Sequence, residues 1–324
     1  MRTISAMFVL VALITGSLIV TEAIADNYPV EIVRLYSRES GEFAEGITVD
    51  QNGTIYVSIA DQGQIWEQPV DGSEPILVTS FGEERPLGLA VDRYGDLYVA
   101  LRSYNPDTQG VYRVNTLDGS YERLPFTDAI NHPNGLAFDK KGNLYVTDSI
   151  IGAVWRIPEN GDDAELWLVH PYLKGVNYPQ LPHNYHVGAN GIAYWRHGLY
   201  VAVTEQGSLV YIPIKHNGKA GRPEIIVQNQ AELITIDGIA LDFEGNIYAC
   251  LIGWHKVVKI DPLDGYITTL ATIEDGLDYP SSLVFGRKQY RTSLFISNYA
   301  AWPKNETGPG VLRIDVGVPG KRLP

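Results

Sequence analysis

The stretch NGLAFDKKGNLYVT, at residues 134–147, holds two short apolar runs joined by a turn that contains glycine. This pattern is typical of a β-hairpin. Five related stretches occur along the chain: EGITVDQNGTIYVS from residue 45, LGLAVDRYGDLYVA from 87, NGIAYWRHGLYVAV from 190, DGIALDFEGNIYAC from 237 and a degenerate SSLVFGRKQYRTSLFIS from 281. The starts lie 42, 47, 56, 47 and 44 residues apart, which indicates a repeat architecture.

Further apolar runs follow the hairpins. A third run follows each hairpin, and a fourth follows five of them: PILVTS, YERLPF, AELWLV, PEIIVQ and ITTLAT. The sixth copy ends without a fourth run, whereas VEIVRLY at residues 30–36 precedes the first copy. This imbalance predicts an all-β fold, a six-bladed β-propeller of four-stranded blades whose last blade is closed by the N-terminal strand. Closure pairs a sheet edge that would otherwise be exposed.

The first 25 residues are typical of a secretory signal peptide. Arg2 precedes the apolar run MFVLVALITGSLIV at residues 7–20, and Ala23-Ile24-Ala25 forms a small-x-small cleavage site. The apolar run is short for a membrane span, although an uncleaved anchor is the alternative. We therefore expect a secreted or periplasmic protein, with residues 26–324 forming one propeller domain and no membrane association after cleavage.

The composition excludes several classes of protein. With 45% hydrophobic, 10% aromatic and 19% charged residues, the chain is neither disordered nor a coiled coil. A net charge of −13 disfavours a nucleic-acid partner, which would require basic patches. The single cysteine, Cys250, excludes an intramolecular disulfide and a cysteine-rich zinc or redox site, and its apolar strand predicts a buried side chain.

The first residue of each copy is expected to lie near the axis of the propeller, at one mouth of the central channel. We call these six the starting residues: Glu45, Leu87, Asn134, Asn190, Asp237 and Ser281. Four of them carry side-chain oxygens suited to a hard cation, and the two carboxylates would balance one divalent ion. The set Glu45, Asn134, Asn190 and Asp237 therefore predicts one metal site, with Ca²⁺ favoured because it accepts amide oxygens readily. Zinc is disfavoured because the set contains no His or Cys.

The glycine that follows a starting residue allows a simpler interpretation. Asn-Gly and Asp-Gly are ordinary turn dipeptides, and each could mark nothing more than a bend. Four oxygen donors at equivalent positions of the repeat favour the metal site instead.

These starting dipeptides, EG, NG, NG and DG at Glu45, Asn134, Asn190 and Asp237, resemble those of the SMP-30/gluconolactonase (regucalcin-like) family, which is related to diisopropyl-fluorophosphatase and paraoxonase. The resemblance covers the whole mature chain. It implies that these four residues bind one divalent metal, usually calcium, and that the chain hydrolyses sugar lactones, other lactones or organophosphates. Leu87 departs from the pattern, since it offers no polar group.

Other residues are candidates for catalysis or for substrate binding. Asp237 could serve as ligand and as base or nucleophile, and Asp148 could orient a ligand, act as a base or only cap a strand end. The longest interval between copies contains HPYLKGVNYPQLPHNYHVGA at residues 170–189, which predicts a lid. We expect His183, Tyr185 and His186 of this segment to bind substrate, together with Ser281. His132 favours a packed loop position, and Glu205 a solvated one.

Two classes of function are compatible with these features. The first is a calcium-dependent hydrolase, a lactonase acting on a sugar lactone or other lactone, with an organophosphate or aryl ester hydrolase as the alternative at the same site. The second is a non-catalytic propeller that binds a ligand, as NHL-repeat arrays do. A strictosidine-synthase-like condensing enzyme is disfavoured because it would not need the metal ligands. A small-molecule substrate and a monomer are expected.

Overall fold

The computed structural model describes residues 28–176 and 186–321. The signal segment, His183 and Tyr185 lie outside the described residues. Twenty-four strands form six four-stranded antiparallel sheets, which confirms the six-bladed β-propeller. No helix in the described part of the chain is long and apolar enough to cross a bilayer.

Each of the first five blades is built from four consecutive strands. Blade 1 contains β2 (Ala44–Val49), β3 (Ile55–Ile59), β4 (Gln64–Gln68) and β5 (Ile76–Ser80); blade 2 contains β6 (Arg85–Val91), β7 (Leu97–Arg102), β8 (Gly110–Val114) and β9 (Tyr121–Arg123). Blade 3 contains β10 (Pro133–Phe138), β11 (Leu144–Asp148), β12 (Ala153–Ile157) and β13 (Glu165–Val169); blade 4 contains β14 (Ala189–Trp195), β15 (Gly198–Val203), β16 (Ser208–Pro213) and β17 (Glu224–Gln228). Blade 5 contains β18 (Ile236–Leu241), β19 (Ile247–Leu251), β20 (Lys256–Ile260) and β21 (Ile267–Ala271).

Blade 6 is closed by the N-terminal strand, as the sequence predicts. It contains β22 (Pro280–Phe285), β23 (Ser293–Asn298), β24 (Gly310–Asp315) and, on its outer edge, β1 (Val30–Leu35). Strand β1 pairs antiparallel with β24, with Val30 opposite Ile314 and Leu35 opposite Gly310. The ring of blades is thereby locked by residues from both ends of the chain.

Helical structure is limited to short turns between strands. The helix α1 covers Gln230–Leu233, and 3₁₀ turns cover Ala60–Gln62, Thr127–Ala129, Pro171–Leu173, Ile252–Trp254, Ile273–Asp275 and Lys288–Tyr290.

The hairpin turns of blades 1, 2, 3 and 5 are held by an aspartate that follows the first strand of the blade. In blade 1, Asp50 Oδ1 accepts hydrogen bonds from the backbone N–H groups of Asn52 and Thr54, both at 2.8 Å. Gly53 adopts φ 92°, a left-handed conformation that favours glycine. The sequence DxxG therefore closes the hairpin and directs the second strand back toward the first mouth of the channel.

The hydrophobic core lies between neighbouring blades. One cluster packs Tyr145 and Val154 of blade 3 against Leu199 and Val201 of blade 4, all fully buried. Similar clusters fill each of the other five blade junctions. Cys250 belongs to the cluster between blades 5 and 6 and is fully buried, as the sequence predicts.

The central channel contains a cavity of about 130 Å³, lined by the six innermost strands and by Lys321. Lys321 follows the last strand and lies at the mouth opposite the starting residues, where its Nζ donates a hydrogen bond to the carbonyl oxygen of Tyr194. Burial, together with the positive charges of Arg287 and Lys140, lowers the pKa of Lys321 to about 7. The cavity is therefore lined on that side by a residue that no repeat pattern marks.

Candidate functional site

The six innermost strands approach one another closely at the starting residues. A Cβ atom placed on Gly46 would lie 2.1 Å from the carbonyl oxygen of Leu87. Three further glycines would contact the next starting residue at 2.1–2.5 Å: Gly88 with Asn134, Gly135 with Asn190, and Gly191 with Asp237. None of these glycines has a positive φ. Close contact between blades, rather than a positive φ, therefore accounts for glycine at these positions, and the metal site stays a prediction.

A β-bulge at each starting residue interrupts the alternation of side chains between the two faces of its strand. In blade 1, Ala44 pairs with Ile59 and Ile47 pairs with Val57, so Glu45 and Gly46 together lie opposite Ser58. The pairing of the innermost strand with its neighbour shifts at the same place in all six blades. A bulge bends the strand and redirects a side chain, which is how the repeat directs its first residue toward the axis.

Hydroxyl groups join the bulge of one blade to the next blade. Thr147 Oγ1 accepts a hydrogen bond from Gly135 N at 2.8 Å and donates one to the carbonyl oxygen of Asn190 at 2.7 Å. Ser58 and Ser297 make the equivalent pairs of bonds in blades 1 and 6, to the carbonyl oxygens of Leu87 and Glu45. The positions of the starting residues are therefore fixed by the neighbouring blade as well as by their own.

The two starting asparagines are held in the same orientation. Asn134 Nδ2 donates to Ser149 Oγ at 3.2 Å, and Asn190 Nδ2 donates to Thr204 Oγ1 at 3.1 Å. Each hydroxyl in turn donates to a backbone carbonyl oxygen of the following blade, from Ser149 and Thr204 at 2.7 and 2.8 Å. The amide nitrogens are thus occupied, which leaves both Oδ1 atoms available as oxygen donors.

The two starting acids, Glu45 and Asp237, are held close to one another with little access to water. Asp237 is 8% exposed and Glu45 is partly buried. Burial raises the pKa of Glu45, against the lowering effect of the Arg85 charge. Burial also raises the pKa of Asp237, and the charge of Glu45 adds to that rise, while a hydrogen bond from Asn190 opposes it. The cost of ionising both acids is what a bound cation would remove.

The donor set suits a hard cation. Two carboxylates and two oriented amides provide oxygen alone, the ligand chemistry of Ca²⁺. Within residues 28–176 and 186–321, no three His, Cys, Asp or Glu side chains form a metal-binding group, so the fit depends on the amides of Asn134 and Asn190. Ser281 adds no ligand here, because its Oγ donates to the carbonyl oxygen of Glu45 at 2.7 Å.

Leu87 brings an apolar cluster to the sixth position of the ring. Leu87 is 6% exposed and packs with Ala60 and Tyr299, and partly buried Phe43, Tyr279 and Ala301 pack against them. Arg85 lies beside this cluster: its Nη2 donates to Tyr299 Oη at 2.9 Å, and its guanidinium pairs with Asp61. The site therefore has an oxygen-rich side and an apolar side.

The carboxylate of Asp148 accepts hydrogen bonds from the backbone. Its Oδ2 accepts a hydrogen bond from Asn131 N at 2.7 Å, and its Oδ1 accepts one from His132 N at 3.2 Å. The side chain is fully buried, and burial raises its pKa against these backbone bonds. This geometry favours a role in holding the segment before Asn134. A catalytic role for Asp148 stays a prediction that no contact in the structure supports.

His132 is buried, as its sequence context predicts. Burial, with the nearby charges of Arg102 and Arg85, lowers the pKa of His132 to about 3. The imidazole is therefore neutral at physiological pH.

The segment before blade 4 brings His186 to Glu205. The Glu205 side chain is only 3% exposed, so the expectation of a solvated acid is wrong: the backbone around Gly175 and His186 covers it. His186 Nδ1 lies 3.4 Å from Glu205 Oε2. Glu205 directly follows Thr204, whose hydroxyl accepts the hydrogen bond from Asn190 Nδ2. A substrate-binding role for His186 and Ser281 stays a prediction, as do those of His183 and Tyr185 outside the described residues.

The six-bladed propeller and the ring of starting residues can be compared with known proteins. The family profile described as SMP-30/Gluconolactonase/LRE-like region matches residues 180–299, a segment that contains Asn190 and Asp237, and it agrees with the resemblance drawn from the sequence over that segment. No curated protein matches the chain significantly.

Solved structures share the fold over almost the whole chain. A calcium-binding protein, regucalcin, from Agrobacterium tumefaciens aligns with a TM-score of 0.71 at 14% identity, covering 92% of this chain and 97% of its own. A putative gluconolactonase gives 0.68 at 15%, covering 92% and 95%. A gluconolactonase from Xanthomonas campestris gives 0.63 at 17%, covering 92% and 96%. At these identities the likeness shows the fold alone.

Proposed function

We propose that this protein is a calcium-dependent hydrolase of lactone or ester bonds. The observation that carries the proposal is the ring of two buried acids and two asparagines whose amide nitrogens are already occupied by hydroxyl groups. The family match and the gluconolactonase neighbours support the same class of reaction. The fold alone would not decide, because one fold supports many chemistries.

In this proposal Glu45, Asn134, Asn190 and Asp237 hold the ion. A bound divalent ion would polarise the carbonyl oxygen of the substrate. Asp237 would take the proton of the attacking water as the water oxygen adds to the carbonyl carbon, and it would give that proton to the alkoxide oxygen that leaves when the acyl–oxygen bond breaks. Burial of its carboxylate raises its pKa, which favours this role. Arg85 adds positive charge next to Glu45 on the other side of the site.

The remaining residues shape the site rather than react. The hydroxyls of Ser149 and Thr204 keep the amide oxygens of the two asparagines facing the axis. On the opposite side, the apolar cluster around Leu87 excludes water from the site. We also propose that residues 1–25 direct the protein out of the cytoplasm, that it acts as a monomer, and that its partner is a small molecule.

The test combines metal analysis with hydrolysis. The purified protein should contain about one calcium ion per chain, and it should hydrolyse lactones in a pH-indicator assay that excess chelator abolishes and calcium restores. Asn190→Ala removes one oxygen donor and should raise the calcium concentration needed for half-maximal rate at least tenfold. Asn52→Ala in an exposed hairpin turn is the matched control. Calcium binding without hydrolysis of any lactone, aryl ester or phosphotriester would instead favour a ligand-binding propeller.

A further inference from the structure

The ring of starting residues is unlike on its two sides. Blades 3, 4 and 5 contribute amide and carboxylate groups to it through Asn134, Asn190 and Asp237. Blade 1 contributes Glu45 and blade 2 contributes Leu87, and the side chains that pack with Leu87 come from blades 6 and 1. A ligand held by the oxygen-rich side would therefore have an apolar surface beside it.

Aromatic rings continue from Leu87 to the surface. Phe43 lies 5.6 Å from Tyr299, centroid to centroid, and Tyr299 lies 5.8 Å from Trp302. Trp302 also contacts Tyr279 at 5.7 Å and is 62% exposed. These separations are those of packed aromatic pairs, so one cluster of packed rings extends from Leu87, which is 6% exposed, to Trp302 in solvent.

One hydroxyl of this cluster is hydrogen-bonded within it. Tyr299 Oη accepts the hydrogen bond from Arg85 Nη2, and Arg85 is also paired with Asp61. The rest of the cluster consists mainly of aromatic rings and Leu87. An aryl or alkyl group would bury apolar area against these rings, whereas a sugar lactone, whose hydroxyl groups need hydrogen bonds when they leave water, would find few partners here.

The backbone beneath the rings is held in an unusual conformation. Tyr279 and Ala300 have φ values of 54° and 46°, which are rare for residues other than glycine. Asp278, fully buried, fixes both segments: its carbonyl oxygen accepts from Ala300 N at 2.9 Å, and its Oδ2 accepts from Lys304 N at 3.0 Å. Strained backbone that the surroundings hold in place is concentrated at functional sites.

We infer that Phe43, Leu87, Tyr299 and Trp302 form an apolar subsite for the non-reacting group of the substrate. It takes an aryl or alkyl substituent attached to the lactone or ester, so the protein selects hydrophobic lactones or esters over polyhydroxylated sugar lactones. This inference rests on the proposed hydrolase function, because it assigns the substrate class of the same site. The continuity of the cluster with Leu87 favours a substrate group over a separate protein partner.

The experiment compares γ-phenyl-γ-butyrolactone with glucono-δ-lactone. The wild type should show the larger kcat/KM for the phenyl lactone. Trp302→Ala should lower the ratio of the two kcat/KM values about tenfold, the range expected when a substituent loses part of its apolar pocket. Trp254→Ala, in the turn after β19 and also exposed, is the matched control and should leave the ratio unchanged. A wild type that prefers glucono-δ-lactone, or a ratio that Trp302→Ala leaves unchanged, would overturn the subsite while the hydrolase function stands.

A binding measurement separates the subsite from the proposed reaction. If neither lactone is hydrolysed, the hydrolase proposal is decided by the wider screen of lactones, aryl esters and phosphotriesters, and the subsite is decided by calorimetric titration with the non-hydrolysable ketone 4-phenyl-2-butanone. Binding by the wild type and by Trp254→Ala, weakened at least fivefold in Trp302→Ala, would support an apolar ligand subsite. No binding by the wild type would overturn it.

Discussion

Thr147 Oγ1 of blade 3 donates a 2.7 Å hydrogen bond to the carbonyl oxygen of Asn190, the starting residue of blade 4. The same hydroxyl accepts from Gly135 N, next to the starting residue of its own blade. One buried side chain therefore sets the spacing of two neighbouring candidate ligands. Because the contact joins two blades, the stability of the propeller and the geometry of the candidate metal site are coupled through it.

Thr147→Val should weaken both properties. Valine has nearly the same shape but leaves Gly135 N–H and the Asn190 carbonyl without a partner in a buried place, which costs about 1–3 kcal/mol of unfolding free energy. We expect a lower midpoint in urea and weaker calcium binding. Thr269→Val on the exposed face of β21 is the control for the substitution itself. An unchanged midpoint together with unchanged calcium affinity would contradict the coupling.

Two glycine variants separate close contact from backbone conformation. Gly135→Ala would place a Cβ atom 2.5 Å from the Asn190 carbonyl oxygen, although φ at Gly135 is not positive. Gly82→Ala meets nothing within 4 Å but has φ 68° and should cost about 1 kcal/mol. We expect Gly135→Ala to unfold at the lower temperature and to lose calcium affinity. Equal melting temperatures, or a lower one for Gly82→Ala, would show that the blades can move apart at no cost.

The buried amine of Lys321, at the mouth of the channel opposite the starting residues, should make the stability of the protein depend on pH. The pKa of Lys321 is lowered to about 7, so the folded protein binds that proton less well than the unfolded chain. Burial of the Lys321 amine does not destabilise the protein above the pKa that lysine has in the unfolded chain. The destabilisation grows as the pH falls toward 7, and it is complete below pH 7. Lys321→Met should therefore stabilise the protein more at pH 6.5 than at pH 10, as measured by thermal unfolding. Exposed Lys219→Met is the control, and a stability difference independent of pH would contradict burial of the amine.

The repeat predicts the parts of the molecule that recur, and little else. Residues 134–147 and their five relatives predict the hairpins, the closure by β1 and the position of Asn134 and Asn190, because each repeats at an equivalent place. Arg85, Tyr299 and Trp302 belong to no repeating pattern. They meet because the closed ring places blade 6 next to blade 1 and only two blades from blade 2, which the spacing of the copies does not show.

Glu205 and Lys321 show a second limit to what the sequence can predict about the structure. Glu205 follows the strand β15 in a polar stretch, where a single sequence favours exposure, and it is buried only because a segment from before blade 4 folds over it. Lys321 comes from beyond the last strand and reaches the channel by crossing the face of the propeller. Both depend on where irregular segments run, and the hydrophobic pattern carries no signal for that path.

Replacement of the charged candidate ligand Asp237 by asparagine should have opposite effects on stability without calcium and with it. In excess chelator, Asp237→Asn should raise the melting temperature at pH 8, because it removes a buried acid whose pKa is raised by burial and by Glu45. The destabilisation by the buried Asp237 is absent in acid and grows as the pH rises above the pKa of an aspartate in the unfolded chain. The increase in melting temperature caused by Asp237→Asn should therefore be smaller at pH 4.5 than at pH 8. With saturating calcium the order should reverse, because the wild type gains binding energy that the variant cannot match.

Measurements of activity distinguish the two possible roles of Asp237, metal ligand and proton acceptor. Asn134→Ala removes a neutral oxygen donor, so its lost rate should be partly restored by higher calcium concentrations. Asp237→Asn keeps an oxygen donor but cannot accept a proton, so its rate should stay at least a hundredfold below that of the wild type even at saturating calcium. Rates of lactone hydrolysis against calcium concentration for the two variants provide the measurement. Full recovery of Asp237→Asn would make Asp237 a ligand only and would move the search for the proton acceptor to Glu205 and His186, the acid that follows Thr204 and the imidazole beside it.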